Sequence, residues 1–181
     1  SAVDPAQVPY RRGEWFTADP NIDAPARDAA RRAAAAGMRL YLMDFIRPDD
    51  PIAPGSWWQS STDWVGTRGD IEGNAAWLSD WIGRHGCFAV LTDGPAQFLA
   101  GGPEWPVRPY PTVPAPEVVD TTGAGDLFRA GMLFGLDQEW SAEECLRFAA
   151  AAGSLACGSL GATSRVPTVE EICARRDGEA R

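Results

Sequence analysis

Residues 120–126 read Asp-Thr-Thr-Gly-Ala-Gly-Asp, and a helical pattern opens directly behind them. Gly123 and Gly125 accept backbone angles closed to other residues and leave their N–H groups uncovered. A helix start adds unpaired donors and the positive end of the helix dipole, so this point of the chain is a ready anion site. Asp126 falls in the first turn of that helix. A carboxylate beside an anion hole suits phosphoryl transfer: the N–H groups stabilise charge on the moving phosphoryl group while the carboxylate takes a proton from an attacking hydroxyl. The plainer alternative is that the glycines shape a turn and Asp126 only complements the helix dipole.

The rest of the chain has the rhythm of a parallel α/β sheet, helix then Gly then apolar run. Residues 1–23 read as an irregular lead-in, broken by Pro5, Pro9 and Pro20. Asp23 is an N-cap for a helix from Pro25 to about Ala36, stopped by Gly37. Arg39 to Phe45 reads as a buried strand, Pro48 to Gly55 as a proline-rich loop that runs on to Trp57-Trp58, and Trp64-Val65-Gly66 as a second strand. Gly73 to Arg84 has helical spacing, with Trp77 and Trp81 on one face and His85 at its end. Phe88 to Thr92 is a third strand, Asp93-Gly94-Pro95 a turn, and Gln97 to Ala100 a returning strand. From Gly101 to Pro116 the Pro and Gly content indicates a loop or edge strand. Glu117 to Val119 is briefly extended, and the helix behind the Gly-rich turn runs to Leu136. Ser141-Ala-Glu-Glu144 and Thr168-Val-Glu-Glu171 each have the form of a capping box that opens a helix.

With 181 residues the chain is long enough for one domain and one sizeable core. Its net charge is −9, and every basic residue is Arg. An acidic chain is a poor nucleic-acid binder, because phosphate contacts need clustered positive charge. The lack of Lys excludes a phosphate-loop lysine, so a nucleotide site here has to use backbone N–H groups or Arg. No apolar run reaches the length of a membrane span. Cys87, Cys145, Cys157 and Cys173 fit no zinc spacing and read as buried free thiols of a reducing cytoplasm.

The string D-T-T-G-A-G-D, followed by Phe128 and Gly131, resembles the second signature of the ribokinase (PfkB) family of carbohydrate kinases. The resemblance implies a three-layer α/β/α, Rossmann-like fold with a mostly parallel sheet, the whole chain forming one partial domain. It implies Asp126 as catalytic base and Gly123, Ala124 and Gly125 as anion hole. Val90-Leu-Thr-Asp-Gly94 is similar to the family strand that lies along the nucleotide phosphates, which makes Thr92 and Gly94 nucleotide contacts. Gly161, Ala162 and Pro167 match the loop around the adenine, so Gly125 and Gly161 join the nucleotide set. ATP and Mg²⁺ are the implied cofactors, and a sugar or nucleoside-like molecule the implied substrate.

Several departures from the family pattern stand out. The N-x-x-E segment that positions Mg²⁺ through water is matched only by Thr67-Arg-Gly-Asp70, with Asp70 in the acidic place; the alternative makes Arg68 and Asp70 solvated loop charges. Ala149 and Ala150 occupy the region where many members have an adenine-side Asn. Asp120, Thr122, Ala156, Ser159 and Gly161 align with the monovalent-cation site of some members, where K⁺ would bind. Arg165 stands where a small residue is usual, and a guanidinium there is expected to pair with Asp120 in place of the ion. The family's N-terminal half, with its β lid and sugar-recognising Gly-Gly-Asn, has no counterpart, so the chain, which begins at Ser1, reads as a fragment. The expectation is an ATP-dependent kinase acting on a hydroxyl, with a homodimer as one form. The rival is a non-catalytic nucleotide-binding or oligomerisation module derived from such a kinase. A general dinucleotide binder is disfavoured, since G-x-G-x-x-G is missing.

Overall fold

The computed structural model describes residues 4–44, 47, 50 and 52–178. Phe45 and parts of the Pro48–Gly55 loop lie outside the described residues. The chain divides into two compact units, Ser1–Pro111 and Thr112–Arg181, where the sequence suggested one partial domain.

The first unit holds a six-stranded sheet in the order β1-β2-β3-β4-β5-β6. Its strands are β1 (Trp15–Ala18), β2 (Arg39–Met43), β3 (Trp57–Ser61), β4 (Phe88–Asp93), β5 (Gln97–Gly102) and β6 (Trp105–Pro111). Strands β1 to β4 pair in parallel, and β5 and β6 are added antiparallel. Two crossover helices make the parallel pairings possible: α1 (Ala24–Ala35) between β1 and β2, and α2 (Ile71–His85) between β3 and β4. The Asp23 carboxylate caps α1 by accepting from Ala26 N–H at 2.7 Å. Gly86 ends α2 in the left-handed conformation, with φ 62°.

Three expectations fail here. The supposed irregular lead-in contains β1, a four-residue strand in register with β2. The second strand is Trp57–Ser61, while Trp64-Val65-Gly66 belongs to a turn in which the N–H groups of Trp64 and Val65 both donate to Ser61 O. Trp57 and Trp58 are therefore not loop residues; they lie in β3 and are 4% and 1% exposed. Successive strand residues face opposite sides of a sheet. Trp57 stacks with Phe88 at 4.9 Å and Tyr41 at 6.3 Å. Trp58 meets Trp81 and Trp77 of α2 at 4.8 and 5.8 Å. Burial on both sides suits a strand inside a parallel sheet.

Trp58 also belongs to the core under both helices, with Ala30 and Ala33 of α1, Leu78 and Ile82 of α2, and Leu40, Leu42 and Leu91 of the sheet. Alanines fill this core from α1, while Trp77 and Trp81 pack against it from α2. A buried ion pair anchors the start of α1: Arg27 Nε lies 2.6 Å from Asp50 Oδ1, whose side chain is fully buried. Arg27 Nη2 also donates to Pro20 O at 2.8 Å, and Arg47 N–H to Asp50 Oδ2 at 2.7 Å.

The second unit contains α3 (Ala124–Asp137), α4 (Ala142–Ala156) and α5 (Val169–Arg176). Ser141 and Thr168 form complete capping boxes with Glu144 and Glu171. Helices α3 and α4 cross at very short range. A Cβ on Gly131 would come within 2.8 Å of Ala149 Cα, and one on Gly153 within 3.1 Å of Ala124 O. Small residues are what this crossing requires. Phe148, Ala151, Ala152 and Ile172 form the core of this unit, with Phe134 and Trp140 packed against it.

Candidate active site

The Gly-rich turn is built by contacts within the second unit. Val119 and Asp120 N–H groups both donate to Cys157 O, at 2.8 and 3.2 Å, which ties the segment before the turn to the end of α4. Asp120 then closes the turn. Its Oδ1 accepts from Thr122 N–H at 2.9 Å and Thr122 Oγ1 at 2.7 Å, and its Oδ2 accepts from Gly161 N–H at 2.9 Å. These donors favour the charged carboxylate, and they hold its pKa below the ordinary value, Thr122 contributing most. The loop after α4 and the Gly-rich turn are thereby joined through one side chain.

Gly123 is the N-cap of α3, at φ 84°, and no side chain caps the helix. A Cβ there would lie 2.7 Å from Ala162 Cβ and 2.8 Å from its Cα. The position needs Gly both for its dihedral and for the close approach of Ala162. Ala124 N–H already reaches Thr121 O at 3.2 Å, a long contact that an incoming anion would have to displace. Asp126, in the first turn, is 60% exposed and pairs with Arg129 at 2.6 Å.

The structure therefore brings together Asp120, Thr122, Gly123, Ala124, Gly125, Asp126 and Gly161. Ala156 closes α4, and Ser159 follows in the loop that leads to Gly161. Arg165 does not pair with Asp120: its guanidinium lies 2.6 Å from Glu171 Oε1, the acid of the α5 capping box. Asp120 is instead satisfied by N–H and O–H donors of its own loops, so it has no need of that cation.

In the first unit, Thr92 and Gly94 lie at the end of β4 and in the turn to β5. Thr92 Oγ1 donates to Ser60 O at 3.3 Å, and Gly94 has φ 66°. Asp70 caps α2, its Oδ1 accepting from Gly73 N–H at 3.0 Å. Asn74, buried in α2, holds the preceding loop by accepting from Thr67 N–H at 2.9 Å and donating to Thr67 O at 2.7 Å. Sequence reasoning missed Asn74 and Asp93. Asp93 Oδ1 accepts from Thr62 Oγ1 at 2.7 Å and Oδ2 from Gly69 N–H at 2.8 Å, tying the β3–α2 loop to β4. Nothing in the spacing of these polar residues announces such contacts.

Among the described residues no cluster of three or more His, Cys, Asp or Glu side chains is arranged to hold a metal, and no helix is long and apolar enough to cross a membrane. The cysteines are free thiols; burial pushes the Cys87 and Cys145 thiols up to about 11.

Comparison with known proteins gives this geometry a family. The profile described as pfkB family carbohydrate kinase matches residues 15–169, and the chain belongs to that family. An uncharacterized sugar kinase of Dictyostelium discoideum is 33% identical over 183 residues, covering 87% of this chain and 51% of the relative. The ribokinase of Arabidopsis thaliana, solved with ribose and ATP, superposes with a TM-score of 0.72 at 22% identity, covering 90% of this chain and 55% of that one. A fructokinase of Vibrio cholerae, solved with fructose, ADP and potassium ion bound, gives a TM-score of 0.73 at 21% identity, over 95% of this chain and 63% of that one. These likenesses show the ribokinase-like α/β fold. The chain spans about half the length of the first relative.

Proposed function

We propose that this chain carries the nucleotide-binding and phosphoryl-transfer end of an ATP-dependent kinase that phosphorylates a hydroxyl of a sugar or nucleoside-like molecule. The observation that carries the reading is the open start of α3, where Gly123 offers no capping side chain and the exposed Asp126 stands one residue beyond Gly125. An anion placed against the 123–125 amides meets oriented N–H dipoles and the positive helix end, while Asp126 is free to face water or a bound hydroxyl once it leaves Arg129. In the reaction Asp126 accepts the proton of the acceptor hydroxyl. That oxygen forms a bond to the γ-phosphorus as the bond from phosphorus to the bridging oxygen breaks, leaving ADP and a phosphate ester.

The nucleotide reading, by resemblance to the family, also takes in Gly161, Thr92 and Gly94. Mg²⁺ would neutralise phosphate charge, and the Asp70 carboxylate oxygen that does not cap α2 is the group offered to it through water. A K⁺ site at Asp120, Thr122, Ala156, Ser159 and Gly161 draws support from the potassium-bound fructokinase, which shares this fold. The acidic charge and the free thiols support a cytoplasmic protein with no nucleic-acid partner.

ADP formation by the full-length gene product, supplied with MgATP and a panel of ribose, fructose and nucleosides, tests this reading. Acceptor-dependent ADP release is the expected result. ATP binding with no acceptor-dependent release would favour the second reading, a non-catalytic nucleotide-binding or oligomerisation module. The Asp126–Arg129 pair, which occupies the base, is the observation on that side.

A further inference from the structure

Arg68 stands over the turn that ends β4. Its Nη1 lies 3.7 Å from the position a Cβ would take on Gly94, which sets the guanidinium beside the turn. The backbone on either side of Arg68 is fixed. Thr67 is clamped through both its N–H and its C=O by the buried Asn74 side chain. Gly69 N–H donates to Asp93, the residue just before Gly94. The cation is therefore delivered to this turn by a braced loop.

Its only ion-pair partner among the described residues is Asp63, and the two side chains are 63% and 67% exposed. An exposed pair of this kind contributes little and exchanges readily with other anions. The site lies past the carboxyl ends of the parallel strands β3 and β4, where ligands of open α/β sheets bind. The chain has no Lys, so a positively charged side chain meeting a phosphate in this unit has to be Arg. A guanidinium presents a planar fork of donors that fits phosphate oxygens.

We infer that Arg68 is a phosphate-contacting residue of the nucleotide site, held by Asp63 until a nucleoside triphosphate takes that carboxylate's place. The inference rests on the nucleotide reading above. It adds Arg68 to the functional part of Thr67-Arg-Gly-Asp70, beside the Asp70 oxygen that does not cap α2.

Calorimetric titration of the 181-residue chain with MgATP and with adenosine separates the cases, with circular dichroism confirming that each variant is folded. Arg68→Gln is expected to weaken MgATP roughly tenfold, as for loss of a charge-assisted hydrogen bond, and to leave adenosine unchanged. Arg68→Lys should recover part of the loss, since it restores the charge without the fork. Asp63→Asn should tighten MgATP by removing the competing carboxylate. MgATP affinity unaltered by Arg68→Gln, or equal losses for ATP and adenosine, would overturn the inference while leaving the nucleotide site in place. An unsubstituted chain that binds neither ligand would instead overturn the nucleotide reading, and this inference with it.

Discussion

The two units of this chain put their large and small residues to different use. The sheet unit packs large aromatics: Trp57, Trp58, Trp77, Trp81 and Phe88 meet within ring-contact distance around β3. The helical unit has a smaller ring cluster of Phe134, Trp140 and Phe148, but its close approaches are made by small residues, with Gly131, Ala149 and Gly153 at the α3–α4 crossing and Gly123 against Ala162. Bulky rings bury much apolar surface per residue and supply stability. Glycines supply little burial, but they allow backbone to approach backbone, and such approach sets the position of the α3 start. Stability and site precision are thus concentrated in different places, and substitutions can pull them apart.

The largest stability effect is expected in the sheet unit. Trp58→Ala removes a side chain that is 1% exposed and should destabilise the fold by about 3–5 kcal/mol, read as a lower midpoint in denaturant unfolding. A loss under 1 kcal/mol would mean that the aromatic core is not where stability resides. Next comes Gly123→Ala. The left-handed φ of 84° alone costs an L-residue about 1–2 kcal/mol, and the new methyl has to push Ala162 away. This variant should lose more nucleotide affinity than Trp58→Ala under conditions where both are folded. Equal affinities would erase the proposed division between the units.

The smallest effect concerns Asp120, whose folded pKa is depressed by its donors. A depressed carboxylate contributes stability above its unfolded pKa, near 3.9, and loses that contribution as the pH falls through the folded value. Asp120→Asn should therefore melt below the unsubstituted chain at neutral pH, with the gap closing toward acid. A gap that persists unchanged at low pH would show that the carboxylate charge is not what joins the turn to Gly161.

Local signals in the sequence carried most of the helices. Asp23, Ser141 and Thr168 act through residues three positions away, so their caps are legible without the fold. The strands were harder. Trp15–Ala18 is four residues long, and its pairing with β2 depends on a helix folding between them. Trp57–Ser61 has no β-branched residue and ends in polar side chains, so its place inside the sheet comes from neighbours distant in sequence. The site divides in the same way. The turn at 120–126 is legible because its chemistry lies in consecutive residues. The choice of Glu171 over Asp120 by Arg165 and the hold of Asn74 on Thr67 depend on how the loops fold back on their helices, and the bond of Asp93 to Gly69 on tertiary approach, none of which spacing encodes.

The central claim is that Asp126 is a base and not merely a helix-end charge. The most direct measurement compares the full-length gene product with its Asp126→Asn variant, reading MgATP affinity by calorimetry and acceptor-dependent ADP formation under saturating nucleotide. The account predicts nucleotide affinity within a few-fold of the original and turnover lower by about 10²–10⁴-fold. Turnover that persists in Asp126→Asn at its original rate would contradict it.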